Sequence, residues 1–208
     1  MKRILATALM LLPATTLADG SIGVRAGTLG LGVEFSYPIS QRIGVRVNAD
    51  SYKYSKKFNQ DGIDYDGEAK LKTASLLADL YPFAGGFRIS AGAVYNGNKL
   101  GLSTPNQNLT INGNPYQATL NGEVDFKKYV PYAGIGYGRP IGSGLSLTFD
   151  LGVIFQGTPT ATLTGTCSPP AACGTFQSDL KAQEAQLNDS IKDFRYYPVA
   201  TLGLAYTF

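Results

Sequence analysis

The chain has 208 residues, of which 44% are apolar and 16% charged, and a net charge of +3. This composition suits one folded domain and excludes a disordered or collagen-like polymer. Histidine is absent, so Ser–His and Cys–His nucleophilic pairs and imidazole zinc sites are excluded, and we expect no enzyme, no cofactor and no metal site. No basic run is longer than Lys56–Lys57 or Lys127–Lys128, which argues against a nucleic-acid partner.

The first predicted element is a cleaved export signal over residues 1–18. The basic pair Lys2–Arg3 precedes an apolar stretch over 4–13, and residues 16–18 offer the small side chains that signal peptidase reads. The apolar stretch is too short for a stable membrane anchor, although a retained N-terminal anchor is the alternative. Cleavage would leave residues 19–208, which form the predicted barrel domain.

From residue 21 onward, stretches of alternating apolar and polar residues are separated by connections of two lengths. The short connections are 38–42, 83–86 and 139–144, and the long ones run about 58–66, 104–122 and 164–192. The two kinds alternate along the chain, and no stretch is apolar for long enough to form a transmembrane helix. This pattern is typical of an outer-membrane barrel, with short periplasmic turns and long extracellular loops.

The alternation predicts eight strands. Seven are read directly from it, near 30–38, 42–57, 67–82, 86–103, 123–138, 144–163 and 193–208. The eighth, 21–27, follows from a change of parity, because apolar residues fall on even positions up to Ala26 and on odd positions from Leu29. We interpret this change as a tight hairpin turn near Gly27–Thr28 rather than a β-bulge, since bacterial single-chain barrels have even strand numbers. The predicted fold is therefore all-β, an eight-stranded antiparallel up-and-down transmembrane β-barrel.

The last long connection contains a predicted helix over 178–193. Apolar residues recur there at spacings of three and four, and Ser178 is expected to cap the helix N-terminus. We expect the helix to pack on the loops over the barrel mouth, and a helix that binds a partner is the alternative. Cys167 and Cys173 lie in the same connection, and two cysteines this close in an exported chain predict a disulfide.

The inside of the barrel follows from the same parity. In a lipid-facing barrel the apolar positions point outward, so the other parity lines the lumen. Every ionisable residue of the mid-strand regions has the inward parity: Arg25, Glu34, Arg46, Asp50, Asp79, Arg88 and Asp150. An eight-stranded barrel is just wide enough for side chains to fill it, so these charges either pair with one another or line a path for a zwitterionic or cationic solute.

Aromatic residues cluster at the ends of the predicted strands. Those expected to form the periplasmic aromatic belt are Tyr37, Tyr81, Phe87, Tyr206 and Phe208. The chain ends on Phe208, with Tyr206, Leu204 and Leu202 at two-residue steps before it. A terminal aromatic strand of this kind resembles the signature of bacterial outer-membrane barrels.

Several stretches carry a family resemblance. They are Gly23–Glu34, Ile63–Leu71, Ile89–Leu100, Ile111–Tyr116, Val130–Gly138, Phe149–Pro159 and Glu184–Tyr197. Together they are similar to the small proteobacterial outer-membrane barrels grouped with the ornithine-uptake porin CarO. The resemblance implies a monomeric eight-stranded barrel in a family associated with uptake of small basic amino acids and with carbapenem susceptibility. The loop closed by Cys167 and Cys173 departs from that family.

Two functions follow as hypotheses. The first is limited passage of small solutes, such as basic amino acids, across the outer membrane, with the seven lumen charges as selectivity elements. The second is a closed structural or adhesive barrel that displays 104–122 and 164–192 to a surface partner, because eight strands rarely leave an aqueous pore. The expected surroundings in either case are outer-membrane lipid and lipopolysaccharide.

Overall fold

A computed structural model of the chain describes residues 20–60, 63–138, 144–169 and 173–208. The predicted export signal and most of the predicted turn at 139–144 lie outside these ranges. Within them the chain forms one antiparallel sheet of eleven strands and one α-helix. The strands are β1 (Ser21–Gly27), β2 (Gly30–Pro38), β3 (Ile43–Gln60), β4 (Ile63–Leu80), β5 (Phe87–Asn96), β6 (Lys99–Ile111), β7 (Asn114–Asp125), β8 (Tyr129–Tyr137), β9 (Gly144–Ile154), β10 (Thr160–Cys167) and β11 (Tyr197–Thr207), and the helix is α1 (Phe176–Ile191).

Eight of the strands close into a ring. The order around it is β1-β2-β3-β4-β5-β8-β9-β11, and β11 pairs back onto β1 with Ser21 opposite Thr207. The predicted hairpin turn is confirmed, because Gly27 pairs with Gly30 across a two-residue connection. Gly30 takes a φ of 102°, a conformation that costs little only for glycine. The ring therefore contains the predicted number of strands.

The remaining strands build a second region on one rim of the ring. β3 and β4 continue past the ring, where β4 leaves β5 at Thr73 and pairs with β6 over Asp66–Lys70. β7 then pairs with β6, and β10 pairs with β7. We call this region, residues 52–60 and 63–72 with β6, β7, β10 and α1, the extension. The opposite rim carries Ser21, Thr207 and the short connections 38–42 and 83–86, and we call it the turn rim.

Several predicted boundaries were wrong at this point. The supposed loops 58–66 and 104–122 are largely β-hairpin, and the predicted strands 86–103, 123–138 and 144–163 are each two separate strands. The reason is physical: polarity alternates on both sides of each break, so a period of two does not show where a strand changes its partner. The extra strands make the sheet eleven-stranded rather than a simple up-and-down meander.

The helix also differs from its prediction. α1 begins at Phe176, and Ser178 donates a hydrogen bond to the carbonyl oxygen of Thr175 at 2.7 Å instead of capping the N-terminus. α1 packs on β10 and β6 of the extension. In the described ranges, no helix is long and apolar enough to cross a bilayer.

The outward surface of the ring is apolar. Large apolar side chains stand exposed there on all its strands, among them Ile22, Val24, Leu31, Val33, Val47, Leu76, Ile89, Ile135, Leu147, Leu151, Leu202 and Leu204. Tyr206 and Phe208 are also exposed, but the predicted belt residue Tyr81 is only 2% exposed. That assignment was wrong because residue 81 continues the inward parity of Asp79, and the ring of Tyr81 packs against Gly44.

Candidate functional site

The structure places all seven predicted lumen charges inside the ring. Each of them is at most 7% exposed, and they are Arg25, Glu34, Arg46, Asp50, Asp79, Arg88 and Asp150. Burial of a charge is costly unless it is paired and hydrogen-bonded. The arrangement of these side chains therefore decides what the interior can do.

Arg46 is the centre of the network. Its Nε and Nη2 donate to the two carboxylate oxygens of Asp79 at 3.0 and 3.1 Å. Its Nη1 donates to Glu34 at 3.1 Å and to Asp150 at 2.8 Å, and its Nη2 also donates to Ser90 at 3.1 Å. The planar fork of a guanidinium suits this multiple recognition. One arginine on β3 is thus joined to carboxylates on β2, β4 and β9, across the full width of the ring.

Arg88 forms the second pair, on β5. Its Nη2 donates to both oxygens of Asp150 at 2.9 Å, and its Nη1 donates to the carbonyl oxygen of Gly138. Gly136 makes room for this pair, because a Cβ there would lie 2.6 Å from Asp150 Oδ1 and 2.9 Å from Arg88 Nε. Gly136, one of two glycines of inward parity on β8, is therefore required by a close approach.

Arg25 forms the third pair, nearer the extension. Its Nε lies 2.9 Å from Asp50 Oδ1, and its Nη1 donates to Glu34 at 3.4 Å. Thr73 donates to the other oxygen of Asp50 at 3.3 Å. Three arginines therefore face four carboxylates, and each of the seven charges has at least one partner of opposite charge.

Next to the charges, the interior is filled by an apolar cluster that the sequence analysis missed. Its buried members are Leu29, Leu77, Val94, Val130, Tyr132, Ile154 and Val199, with Tyr197 packed against them. Most of them lie at the ends of their strands nearest the extension. The sequence does contain a pattern that indicates this cluster. Leu77, Val94 and Ile154 are apolar residues on the inward parity, where a water-filled lumen would have polar ones.

One void inside the ring, bounded by described residues, is small. A void of about 10 Å³ lies between the charges and the apolar cluster, lined among others by Arg25, Asn48, Tyr132 and Asp150. This is about the space that one water molecule needs. Passage of an amino acid through this interior would therefore require both the ion pairs and the apolar cluster to separate.

The extension carries charges of a different kind, on the face that continues the outer surface of the ring. Lys53 and Lys70 both bind Glu68, and Lys57 lies 3.3 Å from Asp66. Hydrogen bonds from the two lysines lower the pKa of Glu68 to about 2. Of these side chains, Lys57, Asp66 and Glu68 border a groove of about 820 Å³, which is also lined by Ser55, Gly101, Ser103, Asn121, Thr162 and Thr164.

The other face of the extension, which continues the lumen side, is where α1 packs. Its buried apolar residues are Leu109, Ile111, Tyr116, Ala118, Phe176 and Leu180. The carboxylate of Asp179 accepts hydrogen bonds from Asn112 at 3.0 Å, from Asn114 at 2.8 Å and from Tyr116. These bonds, first that of Tyr116, lower the pKa of Asp179. The predicted disulfide Cys167–Cys173 is confirmed and ties β10 to the segment before α1.

α1 also covers a sheet edge. β10 is the last strand of the extension, and Glu184 of α1 accepts a hydrogen bond from the backbone N–H of Leu163 at 2.6 Å. Asn188 accepts one from the N–H of Ala161 and donates one to its carbonyl oxygen, both at 2.8 Å. Helix side chains thus satisfy backbone groups that an exposed edge strand would offer to another chain.

Comparison with known proteins gives a likeness in structure. No protein-family model and no curated protein sequence matches the chain. Solved structures that share its fold include those of CarO2 and CarO from Acinetobacter baumannii. CarO2 superposes with a TM-score of 0.61 at 20% identity over 91% of this chain and 98% of its own. CarO gives 0.61 at 18% identity, over 92% and 98%. The resemblance to CarO expected from the sequence is confirmed at the level of the fold.

Proposed function

We propose that this chain is a monomeric eight-stranded barrel of the bacterial outer membrane whose filled interior supports the extension outside the cell, where the extension binds a partner. The observation that carries the proposal is the packed ring interior. Arg46, with a side chain only 1% exposed, holds carboxylates from three other strands in one network. An interior of this kind makes the ring a rigid support for the extension rather than a channel.

The outward surface supports the membrane assignment. Charges are buried and large apolar side chains are exposed, which is the reverse of a water-soluble fold. The ring strands β2, β5, β8, β9 and β11 have 9 to 11 residues, the length that a tilted strand needs to cross the hydrocarbon core. Short turns lie on the periplasmic side of such barrels, so the turn rim faces the periplasm and the extension lies outside the cell. Lipid and lipopolysaccharide surround the ring.

Solute passage is the competing function. It needs Arg46 to leave its carboxylates, and breaking a buried ion pair typically costs about 3–5 kcal/mol. It also needs the apolar cluster around Val94 and Ile154 to open. Passage therefore stays a prediction of the sequence that the packing of the interior does not favour.

A swelling assay decides between the two functions. The protein, refolded from residues 19–208, is placed in liposomes, and osmotic swelling is followed with glycine, ornithine, glutamate and a small sugar. We expect rates equal to those of protein-free liposomes, with a general-diffusion porin as the positive control. Swelling with ornithine above the protein-free rate would overturn the filled-ring proposal and support solute passage.

A further inference from the structure

The extension sheet has two lateral edges, and they are treated differently. The β10 edge is covered by α1 through Glu184 and Asn188. On the opposite side, β3 pairs with β2 only up to Ser51, which lies opposite Leu31. From residue 52 onward, β4 is the one strand that pairs with β3 among the residues the structure describes. One edge of β3 therefore offers unpaired backbone donors and acceptors over 52–59.

The exposed edge is long and regular. Residues 52–59 are exposed on both faces, and the register with β4 runs from residue 52 to the end of β3 without a bulge. Tyr52, Tyr54 and Phe58 are 47%, 50% and 39% exposed on the face that continues the lumen side. Natural edges are usually shortened, bulged, covered or charged. This one has only charge, since residues 52–59 include three lysines and no acidic residue.

The lysines of residues 52–59 determine which kind of strand can pair with this edge. A second copy of this chain, paired edge to edge, would bring the lysines of one copy against those of the other, and like charges on facing strands are destabilising. An acidic strand would instead meet Lys53 and Lys57 on one face. On the other face, alternate apolar or aromatic residues would meet Tyr54 and Phe58.

β4 already pairs with β3 through acidic residues on one face and an aromatic residue on the other. On the paired side, Glu68 lies 2.7 Å from Lys53 Nζ, and Asp66 lies 3.3 Å from Lys57 Nζ. On the other face, the rings of Phe58 and Tyr65 stack with centroids 5.4 Å apart. The segment 63–71 alternates acidic residues with Tyr65 and small residues, so it is an example of the strand that the free edge would accept.

We propose that the free edge of β3, residues 52–59, binds an extended acidic segment of a partner protein, which adds a strand to the extension sheet. The inference rests on the proposed function, in which the extension is the binding part of the molecule. Main-chain hydrogen bonds supply the attachment, and Lys53 and Lys57 on one face with Tyr54 and Phe58 on the other supply the selection.

The test uses a labelled peptide with the sequence of residues 63–71 and the full chain refolded in detergent micelles, with fluorescence anisotropy as the readout. We expect saturable binding that is lost when the peptide's three acidic residues are replaced by lysine. The protein variant Lys53→Gln/Lys57→Gln should bind the original peptide about fivefold more weakly, as expected for two exposed ion pairs. Lys99→Gln is the matched control, because Lys99 also pairs with carboxylates but lies on β6, away from the edge.

Two N-methylated peptides separate strand addition from simple charge attraction. An added strand uses the N–H groups of alternate residues only. Methylation of one alternate set should therefore abolish binding, and methylation of the other set should leave it intact. Equal binding of both peptides would overturn the inference, since the lysines would then attract any anion, including lipopolysaccharide phosphate. No binding of the unmodified peptide would also overturn it, and the swelling assay would still judge the filled ring separately.

Discussion

The ring interior pairs its carboxylates with arginines and the extension pairs them with lysines, in opposite surroundings. Inside the ring, the side chains of Arg46 and Asp79 are each 1% exposed. In the extension, the side chains of Lys57 and Asp66 are 88% and 48% exposed. A buried charge that loses its partner has no water to replace it, whereas an exposed charge is solvated at once. The same chemistry is therefore structural in one region and available to a ligand in the other.

This difference teaches how the two regions divide the work of the molecule. The ring closes on itself, so its strands have no free edge within it. The extension continues β3 and β4 beyond the ring and therefore has edges, one covered by α1 and one exposed on β3. Substitutions in the two regions should differ in size, and the following predictions run from the largest effect to the smallest.

The largest effect is expected for Arg46→Ala. The substitution leaves the carboxylates of Glu34, Asp79 and Asp150 buried together with one fewer arginine, and removal of one partner from a buried ion pair costs about 3–5 kcal/mol. Urea unfolding in detergent micelles, followed by circular dichroism, measures the change. Arg46→Lys should recover only part of it, because an ammonium cannot reproduce the fork that contacts Asp79 twice. A loss below about 1 kcal/mol for Arg46→Ala would mean that water reaches the network.

The next effect is expected in the apolar cluster. Ile154 is 1% exposed, and Ile154→Ala should lower the free energy of unfolding by about 2–4 kcal/mol through lost burial and a cavity. The same unfolding experiment measures it. Phe58→Ala, on the exposed edge of the extension, is the control and should change much less. Equal losses for the two variants would contradict the view that Ile154 lies in a packed core and Phe58 on an exposed edge.

These two positions also show what could be predicted from the sequence. Parity located all seven buried charges and the regions that contain the ring strands, because a residue pointing into a small barrel cannot avoid burial. Together with the even strand number of bacterial barrels it also predicted the Gly27–Gly30 hairpin. The same parity places Leu77, Val94 and Ile154 inside, but a polar lumen was expected, so an apolar cluster was not predicted. The parity rule was correct at these positions, and the assumption that only polar side chains fill the lumen was wrong.

The extension could not be predicted in this way. Its strands alternate just as the ring strands do, so nothing local distinguishes the part of β4 that pairs with β5 from the part that pairs with β6. The bonds from Glu184 and Asn188 to β10 join segments far apart in sequence, and a glutamate or asparagine on a helix carries no sign of its partner. The free edge of β3 appears only once the pairing of every neighbouring strand is known.

A smaller and local effect is expected for the disulfide. Replacement of Cys167 and Cys173 by serine opens a short loop, and the chain-entropy estimate for such a loop is about 2 kcal/mol. The loss should be confined to α1 and β10, because the bridge joins β10 to the segment before the helix. Hydrogen exchange should become faster in α1 and stay unchanged in β1 and β11. Faster exchange in the ring strands would show that the extension and the ring unfold together.

The docking of α1 should depend on pH through Asp179. Hydrogen bonds from Tyr116, Asn112 and Asn114 lower the pKa of this carboxyl, so the folded state binds its proton less readily than the unfolded state. Its stabilising contribution is complete above the ordinary carboxyl value near pH 4 and is lost as the pH falls through the lowered folded-state value. Exchange in α1 should therefore accelerate in acid, and Asp179→Asn should remove most of that pH dependence. An unchanged profile in the variant would assign the acid sensitivity to another group.

The smallest effect is expected for the pair Lys57–Asp66 in the extension. The side chain of Lys57 is 88% exposed and that of Asp66 is 48% exposed, so water can solvate either charge when its partner is removed. A double-mutant cycle with Lys57→Ala and Asp66→Ala should therefore give a coupling energy close to zero. The same cycle on Arg46 and Asp79 should give a large coupling, because neither group can be hydrated in place. If the exposed pair coupled as strongly as the buried one, Lys57 would be held firmly by Asp66. It could then not leave Asp66 to contact an added strand, so the proposed edge binding requires a coupling energy close to zero.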